Sequence, residues 1–233
     1  MRRLLVSVEG QTEETFVREV LRPHLEARGY FAVNARLMGN VRQRSGRGGV
    51  RRWPEISRDL RRHLVEDPRV VLGVMVDYYG MPNSADGGWP GREAASALPA
   101  SQRGAAVETA IADAVANSLG SSFDRRRFVP CVVMHEFEAL LFSDCTAFAS
   151  ALESLDLAPQ LQAIRDQFET PEEIDDSPVT APSKRVEGLV RRYQKPLHGP
   201  LAARAIGLAT IVRECQHFGR WLTRLEQLGR ERS

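Results

Sequence analysis

Val70-Val71-Leu72-Gly73-Val74-Met75-Val76-Asp77 is a short apolar run that ends on a carboxylate. A run of this length without polar interruption reads as a strand covered on both faces, and such strands belong to parallel sheets with helices packed above and below. The flanking sequence repeats the theme. Residues 3–9, Arg-Leu-Leu-Val-Ser-Val-Glu, read as a strand ended by Gly10, and residues 30–38 and 127–134 read as two more. The last of these holds Pro130, which cannot donate a hydrogen bond to a neighbour and therefore suits an edge. Helices are expected between them. Thr12 is placed to cap one in which Phe16, Val17, Val20, Leu21 and Leu25 share a face and which Gly29 stops. Ile56, Leu60 and Leu64 mark a second from about Pro54 to Glu66, and a third covers 104–119. The alternation βαβαβαβ predicts an α/β fold with a mostly parallel sheet flanked by helices.

After residue 135 the strand pattern stops. Short helices are expected at 136–142, 145–153 and 158–168, followed by a connection over 169–182 and a helical tail over 183–229. In that tail Leu201, Ala205, Leu208, Val212, Cys215, Phe218, Leu222, Leu225 and Leu228 step by threes and fours. The division expected is an α/β unit over 1–145 and a helical C-terminal region over 146–233 packed on it. Residues 78–103 are rich in Gly, Pro, Ser and Asn and read as a long loop.

Composition narrows the class. The 233 residues are 42% hydrophobic and 27% charged, as in a globular protein with a sizeable core. No apolar run approaches the roughly 20 residues of a membrane helix. Met1-Arg2-Arg3 leads directly into a strand without the apolar stretch of a signal peptide, so a cytoplasmic location is expected. Cys131, Cys145 and Cys215 are far apart and odd in number, which argues against a disulfide framework and against a zinc knuckle. There is no Gly-x-x-x-x-Gly-Lys-[Ser/Thr] loop for ATP and no Gly-x-Ser-x-Gly elbow of an α/β hydrolase.

The acidic residues fall where a parallel sheet binds ligands, at the carboxyl ends of its strands. Glu9 ends the first strand and Glu13 opens the helix after it; Asp77 ends the third; Glu136 and Glu138 follow the fourth, beside His135. Carboxylates gathered in one place repel, so a cation is needed to keep them ionised. Mg²⁺ accepts a few carboxylates and keeps several waters, and such an ion can hold a scissile phosphate and activate a water. Each acid taken singly is as well explained as a helix cap. His135 could act as acid/base or serve as a structural histidine. Lys184 and Arg185, Lys195 and His198, and the Gly/Arg stretch with Arg42, Arg44, Arg47, Arg51 and Arg52 could contact phosphates or form solvated surface. Tyr78 and Tyr79 are stacking candidates at the same rim.

Val8-Glu9-Gly10-Gln11-Thr12-Glu13 resembles the opening motif of Toprim domains, above all the Glu-Gly-x-Thr-Glu form of the OLD-family nucleases. Over nearly its whole length the chain resembles the uncharacterised bacterial family catalogued as DUF4276, which is regarded as Toprim-related. The matching stretches are VEGQTEETFV, MVDYYGMP, MHEFEALLF, APSKRV, YQKPLHG and CQHFGRWLTRLE. The resemblance implies a Toprim-like domain in which Glu9 is a metal ligand or general acid/base, Glu13 a second acid, and Asp77 the first aspartate of an Asp-x-Asp pair. The second position of that pair is Tyr79, so Glu136 or Glu138 would supply the missing ligand to Mg²⁺ or Mn²⁺. The catalytic set expected is Glu9, Glu13, Asp77, His135 and Lys184, with the basic residues named above positioning nucleic acid.

The activity implied is metal-dependent cleavage of nucleic-acid phosphodiesters, DNA ahead of RNA. The implied setting is a defence effector that works with an ABC/AAA-type ATPase partner; whether it forms a homo-oligomer is left open by the sequence. Two other readings stay open: a non-catalytic nucleic-acid-binding or sensor subunit, and metal-dependent phosphoryl or nucleotidyl transfer to a small nucleotide.

Overall fold

The computed structural model describes residues 2–39, 52–83, 87–174 and 180–231. Four parallel strands form the sheet: β1 (Arg2–Val8), β2 (Tyr30–Leu37), β3 (Val70–Asp77) and β4 (Phe128–Val133), in the order β2-β1-β3-β4. All but the last residue of β3 are buried, as its unbroken apolar run requires. β4 lies at an edge, where Pro130 leaves no neighbour short of a donor.

The first crossover is helical in three parts: α1 (Gln11–Phe16), a π-helical turn (Val17–Leu21) and α2 (Arg22–Glu26). Pro23 explains the wide turn. It has no N–H to offer the carbonyl of Glu19, and the Arg22 N–H instead reaches back to the Val17 carbonyl. Thr12 is not the cap expected. Gly10 holds the cap position in extended conformation, and its N–H donates to Oε2 of Glu13 at 2.9 Å. The apolar face of this crossover is buried through Phe16, Val17, Leu21 and Leu25.

The chain then crosses by α3 (Trp53–Glu66) to β3 and by α4 (Arg92–Ala95) and α5 (Ala100–Leu119) to β4. The loop expected over 78–103 therefore contains a helical turn and the start of α5. Its polar, glycine-rich composition hid α4, which is a single turn entered through Gly91 at φ +74°. Arg92 pins this segment to the end of β3: its Nε donates to the Tyr78 carbonyl at 3.1 Å and its guanidinium lies 3.8 Å from the Tyr78 ring centroid.

The path β1→β2 runs one way across the sheet and β2→β3→β4 runs the other. Right-handed crossovers then put α1 and α2 on one face and α3 and α5 on the opposite face. The two apolar clusters bear this out, one built on Leu4, Val6 and Met75 with Phe16 and Leu21, the other on Leu72, Val74 and Val76 with Ile56, Leu60 and Ile111.

Beyond β4 come a 3₁₀ segment (Phe137–Ser143), α6 (Cys145–Ala151), α7 (Ala158–Arg165), α8 (Pro182–Leu189), α9 (Lys195–Ile206), α10 (Leu208–Glu214) and α11 (Gln216–Arg230). The stripe expected through the tail breaks at Gly207. Leu201 is 42% exposed, and α9 instead buries Ala202, Ala203 and Ile206. Phe148, Ala202, Phe218 and Leu225 join the cluster on the α1 face, so the C-terminal helices share one core with the sheet. Among the described residues no helix is long and apolar enough to cross a membrane.

Candidate functional site

The strand order reverses between β1 and β3, and such a switch point opens a crevice beyond the strand ends. Glu9 and Asp77 stand there, one directly after β1 and the other closing β3. Oε2 of Glu9 accepts the Asp77 N–H at 3.3 Å. Oδ1 of Asp77 is buried and has no hydrogen-bond partner among the described residues. Glu13 is 6% exposed and faces the same group.

Glu136 and Glu138 arrive from the turn after β4. The Ser183 N–H, at the start of α8, donates to Oε2 of Glu136 at 3.0 Å. Glu138 is 1% exposed, and Nζ of Lys195 lies 3.3 Å from its Oε2 and 3.6 Å from Oε1 of Glu136. The Tyr193 hydroxyl donates to Oε1 of Glu138 at 3.4 Å.

Burial and like charge dominate the electrostatics. Burial pushes the Glu9 carboxyl up to about 7, with Glu13 adding to the rise and the Asp77 N–H and Lys195 opposing it. Asp77 is raised well above the carboxylate range by burial and then by Glu9, Glu13, Glu138 and Glu136. Glu138 reaches about 7, again through burial, although Lys195 pulls it down. Lys195 itself is pulled down by burial and raised more by Glu138, Glu136 and Asp77, so it stays an ammonium. Five carboxyls and one ammonium therefore share this rim, and the crowded acids oppose one another's ionisation.

His135 is 1% exposed and stacks on Tyr79, ring centroids 5.2 Å apart. Tyr78 is 2% exposed beneath Arg92, so its ring offers no open face for a base. The other basic candidates make local contacts. Lys184 pairs with Glu187 at 2.6 Å on an exposed face. Nε of Arg185 donates to the Thr180 carbonyl at 3.0 Å, and its guanidinium lies 5.6 Å from the Phe168 ring. Nδ1 of His198 accepts the Gln194 N–H at 2.8 Å at the start of α9. Arg52 is exposed ahead of α3, and Arg42, Arg44, Arg47 and Arg51 lie outside the described residues.

A family model described as a domain of unknown function, DUF4276, matches residues 8–226. The chain belongs to that family. No curated protein and no solved structure matches the chain. The match runs through all of the rim: Glu9 and Glu13 at its start, Asp77, Glu136 and Glu138 within it, and Lys195 in the region after β4.

Sequence reasoning did not single out Tyr193 or the Ser183 N–H as partners of the acids. Both lie in the quoted stretches YQKPLHG and APSKRV, which was the available signal. The sequence leaves Lys195 as a phosphate contact or solvated surface, and the structure seats it between two carboxylates. Among the described residues no three rim carboxylates bring an oxygen each within 4.8 Å of one another, whereas Glu108, Cys131 and His217 bring their ligand atoms that close.

Proposed function

We infer that the rim of Glu9, Glu13, Asp77, Glu136 and Glu138 is the divalent-cation centre of an enzyme that cleaves nucleic-acid phosphodiesters. The observation that carries this is the buried Oδ1 of Asp77 at the switch point, without a hydrogen-bond partner among the described residues and surrounded by four further acids. An all-oxygen, strongly anionic donor set fits a hard cation such as Mg²⁺ or Mn²⁺. When bound, that ion would polarise a phosphodiester and make its attacking water more acidic. Glu9 and Asp77 would hold the cation from β1 and β3, with Glu136 as a third donor in place of the second aspartate that Tyr79 replaces. Glu9, raised to about 7, can also take or return a proton near neutral pH. Lys195 would favour the ionised form of Glu138 and offset the charge of an incoming phosphate.

The likeness of the Glu9-Gly10-Gln11-Thr12-Glu13 segment to Toprim nucleases supports this reading. By the same likeness the protein would act on DNA, as a defence effector with an ATPase partner, and the sequence at its start suits a cytoplasmic setting. One observation favours a second reading, a nucleic-acid-binding or sensor subunit without turnover: Lys195 already occupies the space between Glu136 and Glu138, as a built-in cation would.

The test is incubation of the purified chain with Mg²⁺ or Mn²⁺ and plasmid, linear duplex, single-stranded DNA or RNA. Glu9→Gln and Asp77→Asn are assayed beside it, with and without a candidate ATPase. Cleavage lost in both variants supports the enzyme. Cleavage that survives both would remove this rim from the mechanism, and salt-sensitive binding without cleavage would favour the binding subunit.

A further inference from the structure

A second cluster of ligand-type side chains lies away from the carboxylate rim. Glu108 comes from α5, Cys131 from β4 and His217 from α11. They place a carboxylate oxygen, a thiol sulfur and an imidazole nitrogen within 4.8 Å of one another. We propose that this trio binds a borderline-soft divalent cation, Zn²⁺ or an ion of like chemistry, at the free edge of β4.

The donor types select the ion. Thiolate with imidazole suits zinc, cobalt or iron and does not suit Mg²⁺, so this site and the rim would take different metals. The spacing is close to what such an ion needs. Bonds of about 2.0–2.3 Å in a tetrahedral site set ligand atoms roughly 3.3–3.7 Å apart. Nε2 of His217 now lies 2.7 Å from Oε1 of Glu108, a hydrogen bond that would open by about half an ångström around a metal. The sulfur would close in by about 1 Å at most.

The surroundings are those of a positioned ligand. Both oxygens of Glu172 are used to fix the first turn of α11, accepting the His217 and Phe218 N–H groups at 2.8 and 2.9 Å. Glu108 is held by the Val132 N–H, which donates to its Oε1 at 2.7 Å. Binding at Nε2 puts the ring proton on Nδ1, where Arg220 now lies at 3.3 Å. Arg220 is exposed and free to turn away. A cavity of about 350 Å³, lined by Met134, Glu172, His217 and Arg220 among others, brings solvent to His217, while Glu108 and Cys131 lie behind it.

The Glu108–His217 pair also has a structural task, because it covers the unpaired edge of β4. That task does not need a sulfur, and Cys131 distinguishes the two roles. The experiment is titration of the full, reduced chain with Co²⁺ in Mg²⁺-containing buffer, so that hard-cation sites are filled. Expected is a sulfur-to-cobalt charge-transfer band in the near ultraviolet that saturates at one equivalent and is bleached by Zn²⁺. Cys131→Ser should remove the band, whereas Cys145→Ser, Cys215→Ser and Glu9→Gln should leave it.

Glu108→Gln keeps an amide oxygen for the Val132 N–H, so it tests the ligand without opening the strand edge. It should weaken Co²⁺ binding at least ~10-fold. Absence of the band at one equivalent, its persistence in Cys131→Ser, or unchanged affinity in Glu108→Gln would each overturn the proposal. The rim does not enter these readouts, so the two readings stand or fall separately.

Discussion

Nζ of Lys195 lies 3.3 Å from Oε2 of Glu138, a carboxylate that is otherwise sealed from water. The lysine opens α9 and the glutamate follows β4, so the C-terminal helices complete the charge balance at the sheet's carboxyl edge. Lys195→Met removes that balance and leaves Glu138 and Glu136 facing Glu13 and Asp77. Breaking a fully buried pair costs ~3–5 kcal/mol, and the Lys195 side chain is 37% exposed, so a loss of about 1–2 kcal/mol is expected at neutral pH. Urea denaturation measures it. The deficit should shrink in acid, as Glu138 becomes protonated; a deficit that stays constant with pH would mean that Lys195 acts through packing alone.

The carboxyls set a pH dependence of their own. Glu9 and Glu138 titrate at about 7 in the folded chain, against 4.5 for an ordinary glutamate. Between those values the folded state holds protons that the unfolded state has released. Stability from this source is therefore complete below the unfolded value and is lost as pH rises through about 7. A divalent cation competes for the same oxygens. Mg²⁺ should raise the melting temperature at about pH 8 and do little at about pH 5.5, which differential scanning fluorimetry reads directly. Equal shifts at both pH values would place the Mg²⁺ effect elsewhere on the protein.

Asp77→Asn separates stability from function. Asp77 is raised well above the carboxylate range by burial and by four neighbouring acids, so ionising it at neutral pH works against the metal-free fold. An amide of the same shape removes that charge. The metal-free variant should melt a few degrees higher than the parent at about pH 8, while the Mg²⁺-dependent shift and any phosphodiester cleavage are lost. A variant that is destabilised and still shifted by Mg²⁺ would contradict Asp77 as a ligand.

These sites were legible in the sequence to different depths. The strands declared themselves because β1 and β3 are buried on both faces, and Pro130 announced the edge at β4. Strand order then turned Glu9 and Asp77 from acids at strand ends into neighbours across a switch point. The partners of Glu136 and Glu138 were harder to find. Their positions depend on how α8 and α9 fold back, and Ser183 acts through its backbone N–H, which carries no side-chain signal. Cys131 and His217 were invisible as a pair for the same reason, since β4 and α11 meet only in the tertiary fold. The π-helical turn at Val17–Leu21 interrupts what the sequence reads as one helix, and Pro23 marks the place.

The close approach of α9 to α1 rests on Gly199. A Cβ there would sit 2.7 Å from Cγ2 of Thr12 and 3.4 Å from a ring carbon of Phe137. Thr12 is β-branched and its neighbours Gly10 and Glu13 form the cap of α1, so the strain cannot relax by one side chain turning away. Gly199→Ala should cost about 1–3 kcal/mol by overpacking, and it should push the helix that carries Lys195 away from the one that carries Glu13. Gly188 supplies the contrast. It lies in α8, exposed, with nothing within 4 Å of its would-be Cβ, so Gly188→Ala should stabilise by up to ~1 kcal/mol through helix propensity and a less free unfolded chain. Denaturant midpoints for the two variants should therefore move in opposite directions. If Gly199→Ala proves neutral, α9 can slide on α1 without cost, and the seat of Lys195 between Glu136 and Glu138 is not set by that contact.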